Sequence, residues 1–61
     1  MLTIKFSTSN AAFHDDDYDN IAIANECARI LKVTASKIQD GYTEGKCIDY
    51  NGNVVGEWKL K

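Results

Sequence analysis

The segment FHDDDYDN, residues 13–20, places four aspartates, a histidine and a tyrosine in eight positions. Carboxylate oxygens could bind a divalent metal ion, but neighbouring loop residues point in different directions and the spacing of a calcium-binding loop is absent. Clustered carboxylates at a loop tip also attract arginine and lysine and speed the encounter with a basic partner. Two interpretations stay open: a solvated start of a helix, or a protein-binding loop. The loop would consist of Asp15, Asp16, Asp17, Tyr18 and Asp19.

The residues that could support catalysis are few. His14 is the only histidine, and no nucleophile has an evident relation to it, because Cys27 lies on the apolar face of a segment with helical periodicity. Motifs for phosphate loops, dinucleotide binding, zinc proteases and serine hydrolases are absent from the sequence. We therefore predict no enzyme, no cofactor and no metal site.

The segment DYNGN, residues 49–53, contains Asn-Gly between two β-rich runs, which predicts a β-hairpin. Its oxygen-rich composition is that of a turn and not of a calcium loop, since the glycine has the wrong offset. Two registers remain open: a two-residue turn, or a three-residue turn with Gly52 in a bulge. The first gives the pairs Lys46–Glu57 and Glu44–Lys59, and the second gives Cys47–Val55. Gly56 could add a further bulge.

Periodicity predicts the elements that position these residues. Leu2, Ile4 and Phe6 alternate with polar residues, which indicates a strand with one buried face. A helix is predicted over residues 20–40, capped by Asp19 or Asn20 and stopped by Gly41. Its apolar stripe is predicted to contain Ile23, Ala24, Cys27, Ala28, Leu31, Thr34, Ala35 and Ile38. Its polar side is predicted to contain Asn25, Glu26, Arg29, Lys32, Ser36, Lys37 and Gln39.

The order strand, helix, strand, strand predicts an α+β fold, with one long helix packed on a small three-stranded sheet that ends in a β-hairpin. Sixty-one residues correspond to a single domain, residues 1–61. Trp58 is expected at the centre of the core, with Phe6, Leu31 and Ile38. A partly exposed Trp58 that anchors an interface is the alternative.

Charge and composition further narrow the class of protein to which this chain could belong. The net charge is −2, and it is uneven: residues 1–20 sum to −3 and residues 21–61 to +1. This balance does not favour direct nucleic-acid binding. The chain lacks an apolar run that could span a membrane and a signal peptide, so we expect it in the cytoplasm. Cys27 and Cys47 are expected to be buried free thiols, with a disulfide between them as the alternative.

Three stretches together resemble a group of small, uncharacterised proteins of tailed phages and prophages. They are SNAAF at 9–13, ECARILKVTASKI at 26–38 and DYNGNVVGEW at 49–58. The chain departs from that group in its DDD run and in Cys47. The resemblance implies an accessory protein in a bacterial host cell, of the kind that occludes a host complex, as anti-CRISPR proteins do.

Two functions follow as hypotheses. In the first, the chain is a phage-encoded binding module whose acidic loop meets a basic surface and inhibits a host defence complex. In the second, it is a homo-oligomeric accessory protein. The self-complementary patch of the second hypothesis would contain Ile21, Val33, Ile48 and Val55.

Overall fold

The computed structural model describes residues 1–9, 13 and 19–61, and for residues 19 and 20 it describes the backbone only. The elements in chain order are strand β1 (Leu2–Phe6), helix α1 (Asp19–Gln39), strand β2 (Glu44–Ile48) and strand β3 (Val54–Leu60). The strands form an antiparallel sheet in the order β1-β3-β2, so β3 is central. This arrangement confirms the predicted α+β fold with a C-terminal hairpin.

Helix α1 starts and stops one residue earlier than predicted. It contains neither glycine nor proline, and its alanines favour the helical state. Beyond its last turn, Gly41 has a φ of 100° and donates its backbone N–H to the Ile38 carbonyl at 3.0 Å, while the Tyr42 N–H bonds to the Lys37 carbonyl at 3.1 Å. These bonds satisfy carbonyls that have no partner within the helix, as predicted for a glycine stop.

The face that α1 turns toward the sheet agrees only in part with the predicted one, since Ile23, Cys27, Thr34 and Ile38 are core positions as predicted. Its buried and half-buried core positions are Ile23, Glu26, Cys27, Ile30, Thr34 and Ile38. The three alanines predicted to face the sheet, Ala24, Ala28 and Ala35, are exposed. Leu31 is 45% exposed, so its predicted place in the core is wrong. The helix is rotated about its axis because it buries Glu26, which the sequence pattern had assigned to solvent.

Trp58 is buried at the centre of the core, as predicted, with 1% of its surface exposed. Phe6 and Ile38 pack against the buried cluster that contains it. Phe13, between β1 and α1, is completely buried and stacks on Phe6 with ring centroids 6.1 Å apart. Such a pair stabilises by about 0.5–1.5 kcal/mol beyond its buried area. Phe13 is therefore a core residue that the sequence reading had left in a loop.

The turn of the hairpin has the predicted three-residue form. Asp49 donates its N–H to the Asn53 carbonyl at 2.9 Å, and Gly52 donates to the Asp49 carbonyl at 3.0 Å. Gly52 has a φ of 87°, a conformation in which glycine has no steric cost.

Farther from the turn, the strands pair in the register that was predicted for the two-residue turn. Lys46 lies opposite Glu57 and Glu44 lies opposite Lys59. A bulge at Val55 reconciles the two registers. It follows from the pairs Ile48–Val54 and Cys47–Gly56, which leave Val55 without a cross-strand partner on β2. The three-residue turn and the charge pairs of the other alternative therefore occur in one structure, but the predicted Cys47–Val55 pair is wrong, because Cys47 lies opposite Gly56.

Candidate interaction surface

An ion pair between buried Glu26 and half-exposed Arg29 ties α1 to the hairpin turn. Glu26 is 5% exposed, and its carboxylate accepts hydrogen bonds from Arg29 Nε at 2.6 Å and Arg29 Nη2 at 3.0 Å. The same carboxylate accepts the backbone N–H of Tyr50 at 2.8 Å. Arg29 Nη2 also donates to the Ile48 carbonyl at 2.8 Å. The pair therefore holds the chain at the end of β2 and at the start of the turn.

The electrostatics of this pair keep both groups charged. The hydrogen bond from Arg29 is the largest cause that lowers the pKa of Glu26, and the Tyr50 N–H adds to it, while burial acts in the opposite direction. Glu26 in turn raises the pKa of Arg29. A carboxylate that is ionised and accepts three donors is suited to fixing structure. We assign the pair a positioning role, which the sequence reading missed because Glu26 and Arg29 look like solvated helix residues.

The side chain of Asp49 stabilises the turn by accepting hydrogen bonds from it. It is 3% exposed, and its Oδ1 accepts the backbone N–H groups of Asn51 and Asn53, each at 2.9 Å. Its Oδ2 accepts the Asn53 side-chain amide at 3.3 Å. This is the turn chemistry that the sequence predicted, in which an aspartate side chain substitutes for backbone acceptors.

A groove lies between α1 and β2, next to the Glu26–Arg29 pair. Its lining residues are Arg29, Ile30, Val33, Thr34, Lys37, Lys46, Cys47, Ile48 and Asp49. Val33 and Ile48 are each 47% exposed. Val54, the cross-strand neighbour of Ile48, is 62% exposed. The groove is thus lined by two half-exposed aliphatic residues and by Lys37, while the Lys46 ammonium lies beside Glu57 on the other face of the sheet.

The structure brings together part of the predicted self-association patch. Val33 and Ile48 line the same groove. Ile21 is 59% exposed, but it lies twelve residues before Val33, about 18 Å along the helix axis. Val55, which we expected on the outer side of the hairpin, packs against the core instead. The bulge explains this difference, because it leaves Val54 as the more exposed residue.

Most of the predicted acidic loop lies outside the described residues. Asp15, Asp16, Asp17, Tyr18 and the neighbouring His14 belong to that part. The backbone of Asp19 starts α1, and its side chain is not described. The protein-binding role of this segment stays a prediction.

The sheet face that points away from α1 is charged. Its exposed residues in neighbouring rows are Lys5, Glu57 and Lys46, and Thr3, Lys59 and Glu44. Lys46 Nζ lies 3.4 Å from Glu57 Oε2. An exposed pair of this kind contributes about 0.2–1 kcal/mol. The face is ordered by charge, with opposite signs on adjacent strands.

The described part of the chain contains few other side chains that could react or bind a metal ion. Cys27 and Cys47 are both free thiols at the core, so the disulfide alternative is wrong. Burial raises the pKa of the Cys47 thiol. Among the described residues, no three histidines, cysteines or acidic residues are grouped so that they could hold a metal ion. No helix in residues 19–61 is long and apolar enough to cross a membrane.

No protein-family model matches this sequence, and no curated protein or solved structure matches it.

Proposed function

We propose that this chain is a small binding module that acts by protein–protein contact and not by catalysis. The observation that carries the proposal is the groove between α1 and β2, which is lined by the half-exposed residues Val33 and Ile48 and by Lys37. Contiguous exposed apolar surface with a polar rim is typical of interaction sites. The Glu26–Arg29 pair fixes one end of this groove, since Arg29 bonds to the Ile48 carbonyl.

We place a second contact at the acidic segment. Asp15, Asp16, Asp17 and Asp19 give residues 13–20 four negative charges, with Tyr18 among them. A partner with a basic surface would be attracted over about one Debye length, roughly 8–10 Å at physiological salt. Helix capping needs one or two of these aspartates, which leaves the others available to a partner.

The biological setting of the proposal comes from the resemblance to phage and prophage accessory proteins. In that setting the chain is made in the cytoplasm of a bacterial host. Its target is a host defence complex with a basic surface, which the bound module occludes as an anti-CRISPR protein would. Occlusion requires only surface contact and no catalytic group.

A pull-down from bacterial host lysate, followed by mass spectrometry, tests the acidic contact. The bait is compared with a variant in which Asp15, Asp16 and Asp17 become asparagine. A control variant carries Asp40→Asn, Glu44→Gln and Glu57→Gln, which removes three exposed carboxylates elsewhere. We expect the first variant to lose a partner that the control retains. Equal capture by both variants would remove the acidic segment from the proposal.

A second candidate function is self-association as a homo-oligomeric accessory protein. It is favoured by the small core: in the described part of the chain, the buried hydrophobic residues are Phe13, Ile30, Cys47 and Trp58. Chains of this size bury only about 60% of their unfolded surface and are often stabilised by assembly. Sedimentation or light scattering over a wide concentration range tests it. A monomer at about 500 μM, a concentration at which even a weak specific dimer forms, would exclude this candidate.

A further inference from the structure

Strand β2 has one backbone edge with which no other strand of the described residues pairs. It is an outer strand of the sheet, and β3 covers one of its sides. The Thr43 carbonyl accepts the Leu60 N–H at 2.7 Å, so the alternation of a strand directs the backbone groups of Gly45 toward β3 as well. The N–H and C=O groups of Glu44 and Lys46 therefore point to the open side. The bond from Arg29 to the Ile48 carbonyl reaches the strand from that same side.

We propose that two copies of this chain pair edge to edge through β2, antiparallel and related by a two-fold axis at Gly45. In this register Glu44 of each copy lies opposite Lys46 of the other. The proposal rests on the self-association described above and specifies its interface. It joins two three-stranded sheets into one continuous sheet.

Charge selects this register over its neighbour. A shift of two residues would also match the backbone groups, but it would place Lys46 opposite Lys46 of the second copy. Opposite charges across antiparallel strands are favourable and like charges are unfavourable. In the proposed register the favourable Glu44–Lys46 contact occurs twice, whereas the shifted register has one unfavourable Lys46–Lys46 contact on its axis. Only the register with Gly45 on the axis pairs every charge on the strand with its opposite.

The charge pattern of each sheet continues across the proposed junction. Within one copy, adjacent strands place Lys5, Glu57 and Lys46 in one row. In the second copy, Glu44 is followed in the same way by Lys59. The combined row therefore alternates in sign across five strands. A lone edge lysine usually protects a sheet against pairing, but a glutamate two residues earlier makes this edge self-complementary.

The apolar side chains beside the edge fit the same arrangement. In the proposed register Ile48 lies opposite Tyr42 of the second copy, and these side chains are 47% and 56% exposed. Val33 lines the groove at this edge and is exposed to the same extent as Ile48. Pairing through β2 would thus cover part of the groove together with the open backbone groups.

Charge reversal provides a test that separates the interface from the fold. Variants Glu44→Lys and Lys46→Glu are each examined alone and as an equimolar mixture by sedimentation velocity. Each variant alone places like charges opposite each other twice, so we expect its dimer to be at least about tenfold weaker than that of the unaltered chain. In the mixture both contacts become opposite in charge, and we expect a heterodimer about as strong as the original dimer.

Controls make every outcome decisive. Circular dichroism confirms that each variant is folded, and mixing cannot repair an intrachain fault. Lys32→Glu changes the net charge as Lys46→Glu does, but on α1, and should leave the dimer intact. Variants that dimerise as strongly as the unaltered chain, or a folded mixture that stays monomeric, would overturn the β2 interface. A dimer that is indifferent to these changes would leave self-association standing through another surface, such as the exposed alanine face of α1.

Discussion

The carboxylate of Glu26 in helix α1 accepts the backbone N–H of Tyr50 in the β2–β3 turn at 2.8 Å. This bond joins residues 24 positions apart in the chain. Because Arg29 neutralises the carboxylate and bonds to the Ile48 carbonyl, one buried cluster fixes the helix against both the strand and the turn. This contact is possible because α1 turns Glu26, and not Leu31, toward the sheet.

Removing the carboxylate should therefore destabilise the fold. For Glu26→Ala we expect the free energy of unfolding to fall by about 2–3 kcal/mol, because the Tyr50 N–H and the Arg29 guanidinium lose their acceptor. Arg29 can turn toward water, which keeps the loss below that of a fully buried pair. Urea denaturation followed by circular dichroism gives the value.

The matched control is the exposed ion pair of the sheet. Glu57→Ala removes the partner of Lys46, whose side chain lies in solvent. We expect a loss of at most about 1 kcal/mol, as is usual for surface pairs. Equal losses for the two variants would mean that the Glu26 pair is no more important than a surface pair.

The same carboxylate predicts how stability depends on pH. The pKa of Glu26 in the folded chain is below its ordinary value of 4.5, chiefly because of Arg29. As the pH falls through that ordinary value, the unfolded chain binds a proton that the folded chain does not, so stability decreases. The contribution is complete above pH 4.5 and is lost as the pH falls to the folded-state pKa.

A comparison with a variant that lacks the Glu26 carboxylate isolates the contribution of this group to the pH dependence of stability. The difference in unfolding free energy between the unaltered chain and Glu26→Gln should be constant near neutral pH and shrink below about pH 4.5. Carboxylates that titrate alike in both chains cancel in the difference. A difference that stays constant down to pH 3 would show that Glu26 has its ordinary pKa in the folded state.

The sequence was sufficient for the elements and their order, since alternation, helical periodicity and the Asn-Gly turn are local signals. It was not sufficient to predict which face of α1 packs on the sheet. Ala24, Ala28 and Leu31 were assigned to the core because they are apolar, and Glu26 to solvent because it is charged. Burial of Glu26 depends on donors from Arg29 and from Tyr50, and the contact with Tyr50 forms only in the folded chain.

The candidate surface shows the same division between local and non-local information. The exposure of Val33 and Ile48 was expected from the polar side of each element, but their common groove depends on the helix rotation. Val55 was placed on the outside because neither turn alone predicts a bulge on β3. The local sequence favours a three-residue turn and also favours the charge pairs farther along the strands. Both can form only when Val55 lies in a bulge, without a cross-strand partner on β2.

The close approach of β1 to β3 gives a further prediction. Gly56 lies opposite Phe6, and a β-carbon at position 56 would overlap the Lys5 carbonyl and the Phe6 backbone. We expect Gly56→Ala to lower the free energy of unfolding by about 3 kcal/mol or more, because backbone atoms cannot move aside as side chains do. Gly52→Asn serves as the control, since that position is open and asparagine tolerates its positive φ. Similar unfolding midpoints in urea for both variants would contradict this account.

Burial of Cys47 predicts a difference in thiol reactivity. Cys47 is 2% exposed, and desolvation raises its pKa, while Cys27 is only partly buried. Because the thiolate is the reactive form, a Cys27→Ser variant, which retains Cys47, should react with iodoacetamide at least about tenfold more slowly than Cys47→Ser. Urea sufficient to unfold both variants should make the two rates converge, which excludes an intrinsic difference between the sites. Equal rates in the folded state would show that β2 opens readily, and that the core around Trp58 is looser than its burial indicates.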